Sequence, residues 1–210
     1  MVRVRAKICG ITTVRDAAVA AAAGCDAIGI NFFPGSPRCV SVPLARDIAA
    51  CLPPFVTPVG IFVDAEPERI EAVLREVPLG LLQFNGDEPP AACERFGVPY
   101  AKAISVREPL DVTSLEQHYG SAAAFLLDTF DPAARGGTGR TFDWSLWPAN
   151  AIKPLVLAGG LTPDNVCDAI RRLRPYGVDV SSGVENETKG VKSPEKVRAF
   201  MDEVRRGGNE

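Results

Sequence analysis

The sequence predicts an α/β fold, a single-domain (β/α)8 TIM barrel, from three observations. Short apolar runs alternate with helical patterns from end to end of the 210 residues. Each run is about five residues long and continuously apolar, as strands covered on both faces must be. The strand–helix units number eight, which points to a closed barrel rather than an open doubly wound sheet. Repeated βα connections imply parallel strands joined by right-handed crossovers. No G-x-G-x-x-G dinucleotide turn follows the first strand.

In order, Val2–Cys9 reads as the first strand, and Thr13–Ala23 as an alanine-rich helix stopped by Gly24. Ala27–Asn31 and Thr57–Phe62 are the next strands, followed by helices over Pro43–Leu52 and Glu66–Glu76. Leu79–Phe84 precedes a short helix over Pro89–Phe96, and Tyr100–Ile104 a weak one near Thr113–His118. Ala123–Leu127 is the sixth strand, with a long glycine-bearing loop and a poor helix near Trp144 behind it. Pro154–Leu157 leads to a helix expected to be capped by Thr162 with Pro163 in its first position. Gly177–Val180 leads to the last helix, Ser193–Arg205, capped by Ser193. The domain is expected over residues 1–206, with 207–210 as a disordered tail.

Composition narrows the function. Hydrophobic residues make up 46% and charged residues 23%, ordinary for a soluble globular protein. The net charge of −3 offers no basic field to nucleic acid. No apolar run approaches the roughly 20 residues that span a bilayer. The first residues lack a signal-peptide pattern, so the cytoplasm is the expected compartment. The six cysteines form no C-x-x-C pair, and His118 is the sole histidine, expected at the surface. A disulfide scaffold and a metal centre are both disfavoured.

Barrel chemistry sits where strands end at the C-terminal face. Those positions hold Cys9, the Asn31–Arg38 segment, Gln83, Asp128, Gly159-Gly160 and Asp179–Gly183. Cys9, before a Gly-Ile-Thr turn, is a candidate base if its thiol can ionise. Asp128, directly after an apolar strand, is the complementary acid. A lone Arg38 is more often a solvated surface residue, yet its Pro-flanked loop holds a guanidinium suited to a carboxylate. Gly159-Gly160 and Ser182-Gly183 follow adjacent strands, where barrels often bind phosphate on bare amides. Gly136–Gly139 is expected as either a lid or a plain flexible loop. Lys7 points into the barrel, either packed, paired or catalytic.

With these residues assembled, the chain resembles the phosphoribosylanthranilate isomerase family of tryptophan biosynthesis. The resemblance rests on six motifs in order: Lys7–Thr12, Gly29–Arg38, Gln83–Glu88, Leu127–Thr129 with Gly136–Gly139, Ala158–Leu161 and Asp179–Glu185. It implies an Amadori rearrangement of N-(5-phosphoribosyl)anthranilate without cofactor or metal. It further implies Asp128 as general acid, Cys9 as thiolate base, and Arg38 as the anthranilate carboxylate anchor. Gly159, Gly160, Ser182 and Gly183 would hold the phosphate, and Asp179 would orient the substrate. Where the family commonly reads Gln-Leu-His-Gly, this chain has Gln83-Phe84-Asn85-Gly86. A small-molecule substrate is the implied partner, with a monomer and a homodimer equally compatible. Two other readings are a sister phosphate-binding barrel of histidine or tryptophan synthesis and a non-catalytic binding barrel. Cys9, standing where the histidine-pathway isomerase carries an aspartate, disfavours the first. Retention of both Cys9 and Asp128 disfavours the second.

Overall fold

The computed structural model describes residues 3–129 and 143–208. Eight parallel strands close in chain order. They are β1 (Arg5–Ile8), β2 (Ala27–Asn31), β3 (Thr57–Phe62), β4 (Leu81–Phe84), β5 (Tyr100–Val106), β6 (Ala124–Thr129), β7 (Leu155–Leu157) and β8 (Gly177–Val180). Closure is made by β1 against β8, with Lys7 in register with Asp179 and Ile8 with Val180. The two motifs at opposite ends of the sequence are therefore neighbours in space.

The helices among the described residues are α1 (Val14–Ala22), α2 (Val42–Ala50), α3 (Pro67–Glu76), α4 (Pro90–Glu94), α5 (Val112–His118), α6 (Val166–Leu173) and α7 (Pro194–Gly208). Hydroxyl caps set several starts, because an oxygen there satisfies an orphan backbone donor. Thr13 Oγ1 accepts from Asp16 N at 3.0 Å, and Ser193 Oγ from Lys196 N at 3.3 Å. The poor helix near Trp144 is a 3₁₀ turn, Trp144–Leu146.

Several boundaries differ from expectation, three of them by more than trimming of an end. The helix after β7 starts at Val166, not at Pro163, and Asn165 occupies its cap position. Thr162 instead closes a local turn: its Oγ1 accepts from Asp164 N at 3.2 Å, and its own N donates to Asn165 Oδ1 at 2.8 Å. Strand β6 continues through Asp128 and Thr129, because β5 extends to Val106 and pairs with it there. The tail expected from residue 207 is helical through Gly208, and Gly207 is buried where α7 passes α6.

Inside the barrel and between barrel and helices lies one apolar core. Ile8, Ile28, Ile30, Leu82, Phe125 and Leu127 are fully buried strand residues. Phe32, Phe62 and Phe84 form an aromatic ladder, with centroids 5.2 and 6.3 Å apart. Burying such side chains contributes about 1.5–3 kcal/mol each. This rigid frame fixes the strand ends on which the polar residues stand.

Candidate active site

The C-terminal mouth of the barrel holds a cavity that opens to solvent. Cys9, Arg38, Asp128, Gly159, Gly160, Asp179 and Ser182 all line it, together with Asn31, Gln83 and Asn85. Residues from β1, β2, β4, β6, β7 and β8 are thus brought to one place.

Cys9 follows β1 and is pinned by its backbone N, which donates to Val180 O at 2.7 Å. Burial pushes its thiol up, and the Asp179 carboxylate pushes the same way, while Lys7 and Lys192 pull down. The net direction is upward, so the thiol form dominates at neutral pH. Asp128 stands across the mouth. Burial pushes its carboxyl up to about 6, against a hydrogen bond of 2.7 Å from Thr129 N. A carboxyl at that value still carries a proton in part at neutral pH, which a general acid requires.

Two buried ion-pair clusters frame these groups. Lys7 Nζ donates to Asp179 Oδ1 at 2.9 Å, so Lys7 is paired rather than simply packed. Arg38 is buried, not solvated. Its Nε and Nη2 donate to Glu185 Oε1 and Oε2, at 2.7 and 2.8 Å. Lys192 Nζ donates to the same Glu185 Oε1 at 2.9 Å and to Ser181 O at 3.1 Å. Glu185 and Lys192 therefore belong to the site, though only Glu185 fell within a sequence motif and neither was singled out.

The glycine turns have a steric logic. Gly159 has φ +83°, and a Cβ there would lie 2.2 Å from Thr129 Oγ1 and 2.8 Å from Asp128 Oδ1. Gly183 lies just behind the cavity wall, where a Cβ would come within 1.9 Å of Leu161 O. Asn165 Nδ2 donates to Gly160 O at 3.0 Å and ties the first turn to α6. Among the described residues, the backbone N–H groups of Gly160 and Ser182 donate to no acceptor within the chain. Such bare amides suit an anion. In place of a histidine, Asn85 accepts from Gln83 Nε2 at 2.9 Å, and both face the cavity. His118 is exposed, as expected. The Gly136–Gly139 segment lies outside the described residues. No group of metal-ligating side chains occurs among the described residues.

The comparisons with known proteins meet this geometry. The family model for N-(5'-phosphoribosyl)anthranilate (PRA) isomerase matches residues 6–203. The chain belongs to that family. It is 56% identical to the N-(5'-phosphoribosyl)anthranilate isomerase of Azotobacter vinelandii, over 98% of this chain and 99% of that one. The crystal structure of the phosphoribosyl anthranilate isomerase from Thermotoga maritima superposes with a TM-score of 0.87 at 41% identity, covering 96% of this chain and 98% of that one. A phosphoribosyl anthranilate isomerase solved in complex with reduced 1-(o-carboxyphenylamino)-1-deoxyribulose 5-phosphate has a TM-score of 0.83 at 39% identity, over 96% of this chain and 98% of that one.

Proposed function

We propose that the mouth of this barrel isomerises N-(5'-phosphoribosyl)anthranilate to 1-(2-carboxyphenylamino)-1-deoxyribulose 5-phosphate, with Asp128 as acid and Cys9 as base. The activity itself, an isomerase step of tryptophan biosynthesis, follows from family membership over nearly the whole chain. The assignment of roles is carried by one observation: a carboxyl raised to about 6 and a thiol face one cavity from different strands.

Each residue then has a task. Asp128 donates its proton to the furanose ring oxygen, and the C1–O bond opens to a protonated Schiff base. Cys9, as thiolate, takes the proton from C2, and the electron pair moves to form the enolamine. Loss of the enol proton and protonation at C1 give the ketose, so the atoms balance as an isomerisation. An acid or base of this kind contributes about 10²–10⁴-fold. Arg38 binds the anthranilate carboxylate, with Glu185 holding two of its nitrogens. The amides of Gly160 and Ser182, with Gly159 and Gly183 shaping the turns, bind the phosphate. Asp179 faces the sugar hydroxyls and orients them. The chemistry needs no metal and no cofactor, and the reading places the enzyme in the cytoplasm with a small-molecule substrate.

The test is the loss of phosphoribosylanthranilate fluorescence on adding purified protein, beside Cys9→Ser and Asp128→Asn. Rapid loss with wild type and at least a hundredfold slower loss with each variant is the expected result. Rapid loss with Cys9→Ser would remove the thiolate from the mechanism.

A further inference from the structure

Ionisation of the base has a cost: its half-buried thiol is desolvated and feels the Asp179 carboxylate. Four charged groups act on it. Lys7 comes from β1, Asp179 from β8, Lys192 from the segment before α7, and Arg38 from the loop after β2. Asp128 acts on Lys7 and Asp179 from β6.

The three cations are not equivalent. Arg38 gives two donors to Glu185, and Lys192 gives its donors to Glu185 and to Ser181 O. Both hold the Glu185 carboxylate, whereas Lys7 holds Asp179. Lys7 stands two residues before Cys9 on the same strand, so both side chains leave the same face of the sheet. Its ammonium has three donors. One is spent on Asp179 Oδ1 at 2.9 Å, and the ammonium is a charge that Cys9 feels from its own strand.

We infer that Lys7 is a positioning residue for the reaction: its ammonium, held by Asp179 on the face from which the Cys9 side chain also leaves, supplies the counter-charge when the Cys9 thiol loses its proton to water in the open cavity. Asp179 then has a second task besides facing the sugar. It keeps Lys7 charged and aimed while opposing a permanent thiolate, so that Cys9 is held as a thiol until needed. The inference rests on the reading of Cys9 as base, but its test does not require turnover.

The measurement is the pH dependence of iodoacetamide alkylation at Cys9 in the free enzyme, with Cys9→Ser subtracted to remove the other five cysteines. Lys7→Met should slow alkylation at pH 7 about tenfold and move the profile up by about one pH unit. Lys7→Arg should restore most of it. Asp179→Asn should move the profile down. A purely structural Lys7 would alter the melting temperature and leave the alkylation profile in place, which would overturn the inference. So would an unchanged or upward profile in Asp179→Asn, which decides the matter even where Lys7→Met does not fold. Failure of wild type to turn over phosphoribosylanthranilate would defeat the functional reading and leave the alkylation result standing by itself.

Discussion

Arg38 and Glu185 form a buried two-pronged ion pair, 2.7 and 2.8 Å between donors and acceptors, that joins the loop after β2 to the loop after β8. Nε and Nη2 of the guanidinium are spent on Glu185, while Arg38 also lines the cavity. Glu185 also anchors Lys192, so one carboxylate holds both cations. Burial alone would raise the Glu185 carboxyl, but its bonds from Arg38 and Lys192 hold it down at about 2. Its folded value lies below the ordinary 4.5. Its stabilisation is therefore present above pH 4.5 and lost as the pH falls toward about 2.

Glu185→Gln should accordingly cost about 2–4 kcal/mol at pH 7, because it leaves two buried cations without their partner. Its stability should then change less than wild type between pH 5 and 2. The KM for phosphoribosylanthranilate should rise about tenfold, with kcat less affected, because the anchor is misplaced rather than the acid or base. Urea titrations across pH, beside steady-state kinetics, check both. An unchanged KM would mean that Arg38 needs no aim from Glu185.

Arg38→Lys separates charge from shape. A lysine keeps the cation but cannot give two parallel bonds to Glu185 and a third donor to the cavity. The KM should rise at least tenfold while the fold holds, and Arg38→Ala should raise it further. A lysine variant with wild-type KM would show that a point charge suffices.

Asp128→Asn should trade activity for stability. The Asp128 carboxyl is raised from 3.8 to about 6, so the folded state binds its proton more tightly than the unfolded chain does. Stability from this group is full below about pH 4 and declines as the pH rises through 6. Asparagine can keep the acceptor for Thr129 N without the buried charge. The variant should be about 2 kcal/mol more stable than wild type at pH 8 and show no advantage near pH 4, after allowance for partial solvation. Turnover should fall at least a hundredfold. In wild type the raised Cys9 thiol titrates above the Asp128 carboxyl, so kcat/KM should climb with pH up to about 6, stay level beyond it, and fall only above the raised thiol value. A calorimetric scan at two pH values reads the first effect, and a pH–rate profile the second.

The meeting of Cys9, Asp128 and the glycine turns at one mouth was legible in the sequence because a barrel brings strand ends together, and strand ends are marked by where apolar runs stop. Lys7 carried its own signal, a charge inside such a run. Glu185 and Lys192 were harder for a physical reason. Lys192 lies in a polar stretch that reads as a solvated loop. Its burial comes from a reversal in which Asn186 N donates to Val191 O at 3.0 Å and Lys192 is set against Glu185. Neither periodicity nor spacing encodes that reversal. The burial of Arg38 was hidden likewise, since its partner is 147 positions away. The start of α6 was misread because Thr162-Pro163 has the composition of a cap. Asn165 takes both the cap position and the tie to Gly160 O, which fixes the glycine turn after β7.

Gly183→Ala tests that turn without touching any group in the reaction. The added methyl would lie 1.9 Å from Leu161 O, and backbone on both sides leaves no flexible side chain to yield. The loops after β7 and β8 must therefore separate, and the bare amides of Gly160 and Ser182 move with them. Overpacking of this kind costs about 1–3 kcal/mol. The KM for the phosphorylated substrate should rise, and inhibition by inorganic phosphate should weaken by a similar factor, because both depend on the same amides. Alkylation of Cys9 should keep its wild-type pH profile, since the β1–β8 pairing that holds Lys7 and Asp179 lies deeper in the barrel. Weakened phosphate inhibition with an unaltered Cys9 profile would locate the phosphate site at these two turns. Unchanged inhibition would place the phosphate elsewhere in the mouth.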